Sequence, residues 1–276
     1  MIKNWLVRGD THGNFSWMYN SSLDNYKPNE TAIIILGDCG FNFYLNKRDE
    51  HIKKEINDFH YTFYCVRGNH EARPQHLHSI EYIFDDNVGG WVMYEPEYPY
   101  IRYFKDYGIY TINGYKCLII GGAYSVDKWY RLACWNFTEG TNIATKSGWF
   151  NDEQLSEQEM KNCEMLINDD NEFDFVFTHT CPMRFQPTDL FLAFIDQSKV
   201  DATMEKWLDK VYSMIKVKYA WCFGHYHADR LERPHVEQYF NDIEELNLIA
   251  RRWEEYDRGL ELDWCIVKSP FFFSDI

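Results

Sequence analysis

The sequence predicts an α/β fold in which a mainly parallel sheet is accompanied by a second sheet with antiparallel strands. Five short apolar runs with strand character each lead into an Asp, Asn or His, and helical patterns separate the first three runs. Near the middle of the chain, two further strand-like runs flank Asn113-Gly114, a pair that favours a type I′ hairpin turn. Because parallel strands end at a common edge, the polar residues after the five runs are expected to meet in one site.

The first strand is predicted over residues 4–7, and it leads into Asp10 and His12. Gly9 and Gly13 allow the backbone to turn sharply on either side of these two polar residues. The other four strands are predicted at 33–36, 61–66, 173–177 and 219–223. The polar residues that follow them are Asp38, Asn69, His70, His179, His225 and His227.

Helices are expected to connect the first strands, because the stretches 14–23 and 47–59 each carry apolar residues at helical spacing. Residues 91–104 alternate loosely, the hairpin covers 109–118, and 121–131 is expected to be a loop. Later helical stripes occupy 155–167, after an expected N-cap at Asn151, and then 200–215 and 243–256. A last strand is predicted at 264–267.

The length and charge of the chain limit the number of domains and the classes of binding partner. The chain has 276 residues, with 28 basic and 43 acidic side chains and a formal net charge of −15. This length suits one large or two small domains, and a single domain over residues 1–276 is expected because the candidate site residues are spread along most of the chain. The negative charge disfavours long nucleic acid and anionic membrane surfaces as partners.

The cysteines and the apolar runs indicate the cellular compartment in which the protein is expected. The eight cysteines are scattered without a C-x-x-C pair, a pattern typical of buried free thiols in a reducing compartment. No charged-then-apolar leader opens the chain, and no apolar run approaches the roughly 18 residues of a membrane-spanning helix. A soluble cytoplasmic protein is therefore expected, with its oligomeric state left open.

Five motifs follow the five predicted strands in order: GDTHG, GDCG, RGNHE, THT and GHYH. Their order and spacing resemble the motif series of the calcineurin-like metallophosphoesterases, and the series extends from Asp10 to His227. One such motif is weakly specific, whereas five in the right order, each after a strand, are hard to obtain by accident. The resemblance implies a four-layer α/β/β/α sandwich of two mixed sheets flanked by helices.

The same resemblance implies a site with two divalent metal ions. One ion would be held by Asp10, His12 and His227, the other by Asn69, His179 and His225, and Asp38 would bridge them. His70 matches the family position that protonates the leaving group or stabilises the phosphoryl transition state. The two ions would acidify a shared water to hydroxide, which then attacks phosphorus opposite the leaving oxygen.

The ligand types bear on which metals are expected. Oxygen and imidazole ligands suit Mn, Fe or Zn, and the sequence does not select among these ions. Glycine-flanked Asp and Asn residues at strand ends are individually common as turn formers. Their repetition at the ends of five strands favours metal ligands over unrelated turns.

The expected substrate is a small phosphodiester or nucleotide. Four basic residues could bind its phosphate: Arg67, Arg73, Lys128 and Arg131. Basic residues in loops are, however, usually solvated. The stretch 124–131 is the expected lid. Protein serine/threonine phosphatases of this superfamily carry Asp-Arg-Gly shortly after the second motif, and no such Arg follows Asp38. The alternatives are a phosphomonoesterase or protein phosphatase, a metallo-nuclease and, from another class, a non-catalytic binding module.

Overall fold

A computed structural model describes residues 2–20, 23–139, 148–232 and 235–260 of the chain. Its strands are β1 (Asn4–Arg8), β2 (Thr31–Ile35), β3 (Thr62–Cys65), β4 (Glu81–Asp85), β5 (Gly90–Tyr94), β6 (Ile101–Tyr103), β7 (Tyr107–Ile112), β8 (Tyr115–Ile120), β9 (Glu172–Thr178), β10 (Lys216–Phe223), β11 (Arg230–Glu232), β12 (Val236–Gln238) and β13 (Ile243–Glu245). Its helices are α1 (Lys47–Asn57), α2 (Lys128–Glu139), α3 (Glu157–Asn168), α4 (Thr203–Met214) and α5 (Leu246–Asp257).

In the described part of the chain, the strands form two mixed sheets. The first sheet has seven strands in the order β13-β1-β2-β3-β6-β5-β4, and the second has six in the order β11-β12-β10-β9-β8-β7. Strands β1, β2, β3 and β6 run parallel, whereas β13 and β5 are antiparallel to their neighbours. Strands β8, β9, β10 and β12 are likewise parallel, with β7 and β11 antiparallel at the two edges.

Among the described residues, three hydrophobic cores define the layers. Ile34 of β2 and Phe177 of β9 lie in the core between the two sheets. Because successive side chains of a strand point to opposite faces, Ile33 faces the other way and packs in the outer core that includes Ile56 of α1. On the far side, α3 and α4 cover the second sheet, where Leu208 is fully buried. The predicted arrangement of two mixed sheets flanked by helices is confirmed.

The strands predicted before the five motifs are confirmed as β1, β2, β3, β9 and β10. The predicted hairpin is also confirmed, with β7 and β8 paired antiparallel in the second sheet. Its two turn residues, Asn113 and Gly114, have φ angles of 53° and 82°. Positive φ at both central residues is what a type I′ turn requires.

The predicted helix over 14–23 is wrong in the residues described. A short 3₁₀ turn at Ser16–Tyr19 replaces it, while residues 21 and 22 lie outside the description. Phe15 and Met18 are nevertheless buried in the outer core of the first sheet. One turn is enough to bring both side chains to that surface, and the Asn20-Ser21-Ser22 sequence that follows favours turns over a helix.

The predicted loop over 121–131 is correct only for its first part, because α2 begins at Lys128. The backbone N–H groups of Lys128 and Arg131 donate to the carbonyls of Ser125 and Asp127 at 3.1 and 3.0 Å. The sequence carries little sign of this helix start, since Trp129 and its neighbour Tyr130 are exposed and contribute no buried apolar stripe.

The helix predicted to start after Asn151 begins five residues later. Ser156 is the N-cap of α3 and forms a capping box with Glu159. The preceding turn is held from outside the helix, because the Arg73 guanidinium donates to the carbonyl oxygens of Asp152 and Gln154, each at 3.0 Å. The apolar stripe itself is buried as predicted, at Leu155, Met160, Cys163 and Ile167.

Several other predictions have simple outcomes. The loosely alternating stretch 91–104 contributes β5 and β6, whereas β4 was not predicted. The strand predicted at 264–267 lies outside the described residues, and the single domain over 1–276 stays a prediction. Cys39, Cys65, Cys117, Cys163 and Cys222 are free and buried, and Cys181 is buried as well. Among the described residues, no helix is both long and apolar enough to cross a membrane.

Candidate metal centre

The residues predicted as metal ligands meet beyond the carboxyl ends of β1, β2, β3, β9 and β10. Glycines allow the close approach of the segments that carry them. A Cβ atom at Gly37, Gly68 or Gly224 would overlap His179, Asp38 or Asp10, respectively. Only glycine leaves room for these side chains, so the glycine-flanked motifs serve packing within the site as well as turning of the chain.

The two carboxylates are oriented by backbone N–H groups. The N–H of His225 donates to Asp10 Oδ1 at 2.9 Å, and the N–H of His70 donates to Asp38 Oδ1 at 2.8 Å. Each aspartate is almost fully buried, at 2% and 1% exposure. Since Oδ1 is used in both cases, the Oδ2 atoms are left to face the imidazoles.

The first group of ligands consists of Asp10, His12 and His227. Asp10 Oδ2 lies 3.3 Å from His227 Nε2 and 3.8 Å from His12 Nε2, and the two Nε2 atoms are 2.9 Å apart. Both imidazoles are about one-third exposed, whereas the carboxylate is buried. This half of the site therefore faces solvent.

The second group lies deeper. His179 Nδ1 is 2.7 Å from the carbonyl oxygen of Leu36, which can only accept, so Nδ1 carries the proton. His179 Nε2 then faces Asn69 Oδ1 at 2.8 Å and Asp38 Oδ2 at 3.5 Å. The His225 ring is 4.9 Å from the His179 ring, centroid to centroid.

Asp38 lies between the two groups. Its Oδ2 atom is 3.5 Å from His179 Nε2 in the second group and 4.0 Å from His12 Nδ1 in the first. The same atom is 3.9 Å from His70 Nε2. Among the predicted ligands, this carboxylate therefore has the central position that a bridging residue needs.

Four of the residues in the site have left-handed backbone conformations. The φ angles of His12, Asp38, His225 and His227 are 46°, 49°, 69° and 51°. Such angles are unfavourable for residues with a Cβ atom, and they persist where the surrounding structure imposes them. Their concentration in this cluster supports a functional interpretation.

Burial and neighbouring charge shift the pKa values of the imidazoles in opposite directions. Burial, together with the nearby His179, lowers the pKa of His225 to about 3. Burial also lowers the pKa of His179, but the carboxylates of Asp38 and Asp10 outweigh it and raise the value to about 9. The carboxylates thus create a potential that attracts a cation to the centre of the cluster.

The residues present fit divalent metal ions. Asp10 Oδ2 is buried and has no hydrogen-bond partner, a costly arrangement for a carboxylate oxygen unless a cation satisfies it. With one proton on Nδ1, His179 can offer Nε2 to a metal ion in place of the second proton, and that ion would also meet Asn69 Oδ1 and Asp38 Oδ2. Converging oxygen and imidazole acceptors of this kind suit Mn, Fe or Zn.

His70 borders the cluster without joining either group of ligands. Its side chain is 18% exposed, and burial lowers its pKa to about 4 despite the nearby Asp38. The ring lies 6.3 Å from the Phe43 ring, centroid to centroid, and Arg131 and Asp127 both act on its charge. His70 is therefore neutral at neutral pH and faces the rim of the site.

Two of the four basic residues predicted to bind substrate are buried in ion pairs. Arg67 pairs with Asp106 through Nε and donates to the carbonyl oxygen of Glu153 at 2.7 Å. Arg73 pairs with the other oxygen of Asp106 at 2.7 Å and with Glu159. These contacts favour a structural role for both arginines over the substrate-binding role suggested by the sequence.

The other two basic residues lie at the start of α2. The Lys128 ammonium is 4.3 Å from the centre of the Trp149 ring. Arg131 pairs with Asp127 at 2.6 Å and lies 5.6 Å from the centre of the Phe43 ring. Because Phe43 neighbours His70 and the charge of Arg131 acts on the His70 ring, Arg131 is a basic candidate at the rim of the metal cluster.

Sequence reasoning missed the side chains that support the ligands. Asn69 donates to Ser125, which in turn bonds Glu153, and both partners are buried. The ring of Phe240 stacks on His227 at 4.7 Å, centroid to centroid. The supporting residues Ser125, Glu153 and Phe240 belong to none of the five motifs, and Glu153 was assigned to a helix start. Their roles are therefore visible only from their positions in the folded chain.

Comparison with known proteins gives the family. The family model described as calcineurin-like phosphoesterase matches residues 5–229, most of the chain, and the protein belongs to that family. No curated protein matches the sequence.

Two solved structures resemble the chain remotely. One crystal structure has 11% identity and a TM-score of 0.49, with 90% of this chain and 96% of the other covered. Phosphopantetheinyl hydrolase (PptH) from Mycobacterium tuberculosis has 12% identity and a TM-score of 0.39, with 99% and 98% covered. Neither likeness bears on the substrate of this protein.

Proposed function

We propose that this protein is a metal-dependent hydrolase of phosphoester bonds that acts on a small phosphodiester or nucleotide. The observation that carries the proposal is the buried Asp10 Oδ2, which accepts no hydrogen bond and faces the His12 and His227 imidazoles in a cluster of oxygen and nitrogen ligands. Membership of the calcineurin-like phosphoesterase family supports the reaction class. A non-catalytic binding module is disfavoured because the whole set of predicted ligands is present and gathered.

The proposed ligands divide as the resemblance implies. One ion would be held by Asp10, His12 and His227, the other by Asn69, His179 and His225, with Asp38 shared between them. When bound, two divalent ions activate water and neutralise charge that develops on phosphate oxygens. The contribution of the chain is to hold these acceptors in place and, at the second group, to keep them out of bulk solvent.

His70 is proposed to contact the phosphoryl group or the leaving oxygen. Its Nδ1 atom is buried without a hydrogen-bond partner, and a buried N–H would be costly there, so the proton of the neutral ring is placed on Nε2. That nitrogen lies on the side of Asp38, at the rim of the cluster. It can therefore donate a hydrogen bond to an oxygen of the substrate, whereas proton transfer from a neutral imidazole is unfavourable.

Substrate recognition is proposed to involve α2. Arg131 lies beside Phe43 at the rim, and Lys128 lies three residues earlier on the same helix. A guanidinium in this position suits a terminal or bridging phosphate. The net charge of −15 and the lack of a basic run favour small esters over long nucleic acid. The buried free thiols support a cytoplasmic location.

The test combines metal content with two model substrates. Purified protein is stripped of metal, titrated with Mn²⁺ and assayed on bis-p-nitrophenyl phosphate and p-nitrophenyl phosphate. The proposal expects two ions per chain and faster turnover of the diester. Preference for the monoester would favour the phosphomonoesterase alternative, and two bound ions with no turnover of any ester would favour a binding module.

A further inference from the structure

A buried chain of hydrogen bonds runs outward from Asn69, away from the metal cluster. Asn69 Nδ2 donates to Ser125 Oγ at 2.8 Å. Ser125 Oγ donates to Glu153 Oε2 at 2.6 Å, and the backbone N–H of Ser125 donates to Glu153 Oε1 at 3.1 Å. Asn69, Ser125 and Glu153 are 0%, 1% and 4% exposed, so water does not compete for these bonds.

The chemistry of the three groups determines which one donates and which one accepts in each of these hydrogen bonds. A carboxylate can only accept hydrogen bonds, so the single hydroxyl proton of Ser125 is directed to Glu153. The hydroxyl oxygen can then only accept from Asn69. The NH₂ end of the Asn69 amide must therefore face Ser125, and its Oδ1 end must face His179 Nε2 and the cluster.

An Asn69 amide turned by 180° would point its NH₂ group, in place of Oδ1, at His179 and the cluster. The turned amide would remove one metal ligand, because an NH₂ group has no lone pair to offer a cation. In the native chain it would also set Oδ1 against the Ser125 oxygen, with no proton between them.

The segments that supply Ser125 and Glu153 are held by contacts that do not involve the proposed metal ligands. Gly122 has a φ of +96°, and a Cβ there would lie 2.7 Å from the carbonyl oxygen of Glu153, so the two segments touch. The same carbonyl accepts from Arg67, whose guanidinium is paired with Asp106. The buried arginine thus holds the segment that orients Ser125.

We propose that Ser125 and Glu153 are positioning residues that determine which end of the Asn69 amide faces the metal cluster. The inference rests on the proposed function, since it assumes that Asn69 is a metal ligand. Loss of either partner should weaken the ion held by Asn69, His179 and His225 and spare the ion held by Asp10, His12 and His227. A loss of roughly 10- to 100-fold in affinity is expected, as for other residues that orient a metal ligand.

The first experiment measures Mn²⁺ binding by isothermal titration calorimetry in the full chain. Ser125→Ala and Glu153→Gln should each lower the affinity for one of the two ions. Glu153→Gln should act because a glutamine amide can donate as well as accept, so it no longer fixes the direction of the Ser125 hydroxyl proton. Ser156→Ala, which removes a hydroxyl from the N-cap of α3, is the matched control and should leave both affinities unchanged. Thermal unfolding of the metal-free variants shows whether each one folds.

The second experiment separates orientation from packing. An Asp at position 69 presents an oxygen in either orientation, so its affinity should not depend on an anchor for the amide. In the Asn69→Asp background, Ser125→Ala should therefore change the affinity of the weakened ion by less than about 3-fold, against roughly 10- to 100-fold in the native background. An equal loss in both backgrounds would show a packing role and overturn the inference.

The outcomes also separate the inference from the function. If the native chain binds two ions and Ser125→Ala binds both with native affinity, the inference is wrong while the proposed metal site stands. If the native chain binds no Mn²⁺, Zn²⁺ or Fe²⁺ after reconstitution, both are overturned. Selective weakening of one ion, rescued by the Asn69→Asp background, supports both.

Discussion

At the residue scale, Asp38 and His70 show how adjacent groups can have different expected roles. Asp38 Oδ2 lies within 4.0 Å of imidazole nitrogens from both groups of ligands, His12 Nδ1 and His179 Nε2. His70 donates its backbone N–H to the other oxygen of Asp38, yet its ring lies at the rim. The backbone of His70 therefore orients a proposed ligand, while its side chain remains available to a substrate.

Substitution of these two residues should separate metal binding from turnover. Asp38→Asn should weaken both ions and abolish turnover, because one shared carboxylate would serve two cations. His70→Ala should keep both ions and lower kcat by roughly 10² to 10³-fold, as expected for loss of a hydrogen-bond donor to the transition state. Metal titration and steady-state kinetics on the same preparations provide the measurement, and equal metal loss in the two variants would contradict the division of roles.

The two kinds of arginine identified at the site should also behave differently. Arg67→Ala leaves Asp106 less well paired in a buried position and should lower the free energy of unfolding by about 3 to 5 kcal/mol. Arg131→Ala removes a partly exposed ion pair and should cost no more than about 1 kcal/mol, while raising KM for the preferred small ester. Urea denaturation and kinetics measure the two effects.

A stable Arg67→Ala variant with a raised KM would restore the substrate-binding role predicted for Arg67 from the sequence. An unchanged KM in Arg131→Ala would remove α2 from the substrate-binding surface. Metal content should stay native in Arg131→Ala, since this residue contacts no proposed ligand among the described hydrogen bonds and ion pairs.

At the scale of elements, the site depends on how closely the loops after β2 and β3 approach each other. A Cβ atom at Gly68 would overlap both the backbone nitrogen and the Oδ1 atom of Asp38. The neighbouring loop cannot yield by moving one flexible side chain, because its backbone is also in contact. The glycine of the third motif is therefore required by packing even though its φ angle is not in the left-handed region.

Gly68→Ala should displace Asp38 and reduce the affinity for both ions. The matched control is Gly114→Ala in the β7–β8 turn, where no heavy atom lies within 4 Å of the added Cβ but φ is +82°. The control should lose about 1 kcal/mol of stability from backbone strain and keep its metal affinity. Calorimetric Mn²⁺ titration with parallel thermal unfolding tests both variants. Native metal binding by Gly68→Ala would show that the loops can separate without loss of the site.

At the scale of the whole molecule, the charge distribution bears on substrate size. The formal charge of −15 repels a long polyanion at a distance, whereas a small ester interacts mainly with the local cluster and the start of α2. We therefore expect kcat/KM for small phosphoesters to exceed that for single-stranded DNA or RNA at physiological salt, expressed per phosphodiester bond. Efficient degradation of long nucleic acid, with weak activity on all small esters, would favour the metallo-nuclease alternative.

Much of the fold and the proposed ligand set could be predicted from the sequence, because their signals are local. Each strand before a motif is a short apolar run, and each proposed ligand follows its strand within a few residues. The Asn113-Gly114 turn is likewise set by two neighbouring residues. The helix starts were predicted less well, because Trp129 and Tyr130 at the start of α2 are exposed and the turn before α3 is held by the distant Arg73.

The sequence by itself therefore determined the class of fold, the order of the motifs and the residues proposed to bind metal. Tertiary structure decided which basic residues are buried in ion pairs and which side chains orient the ligands. Arg67 meets Asp106 from 39 positions away, and Ser125 meets Glu153 from 28 positions away. The physical reason is that a hydrogen bond or an ion pair depends on distance in space. A local sequence pattern cannot identify partners that become neighbours only when the chain folds.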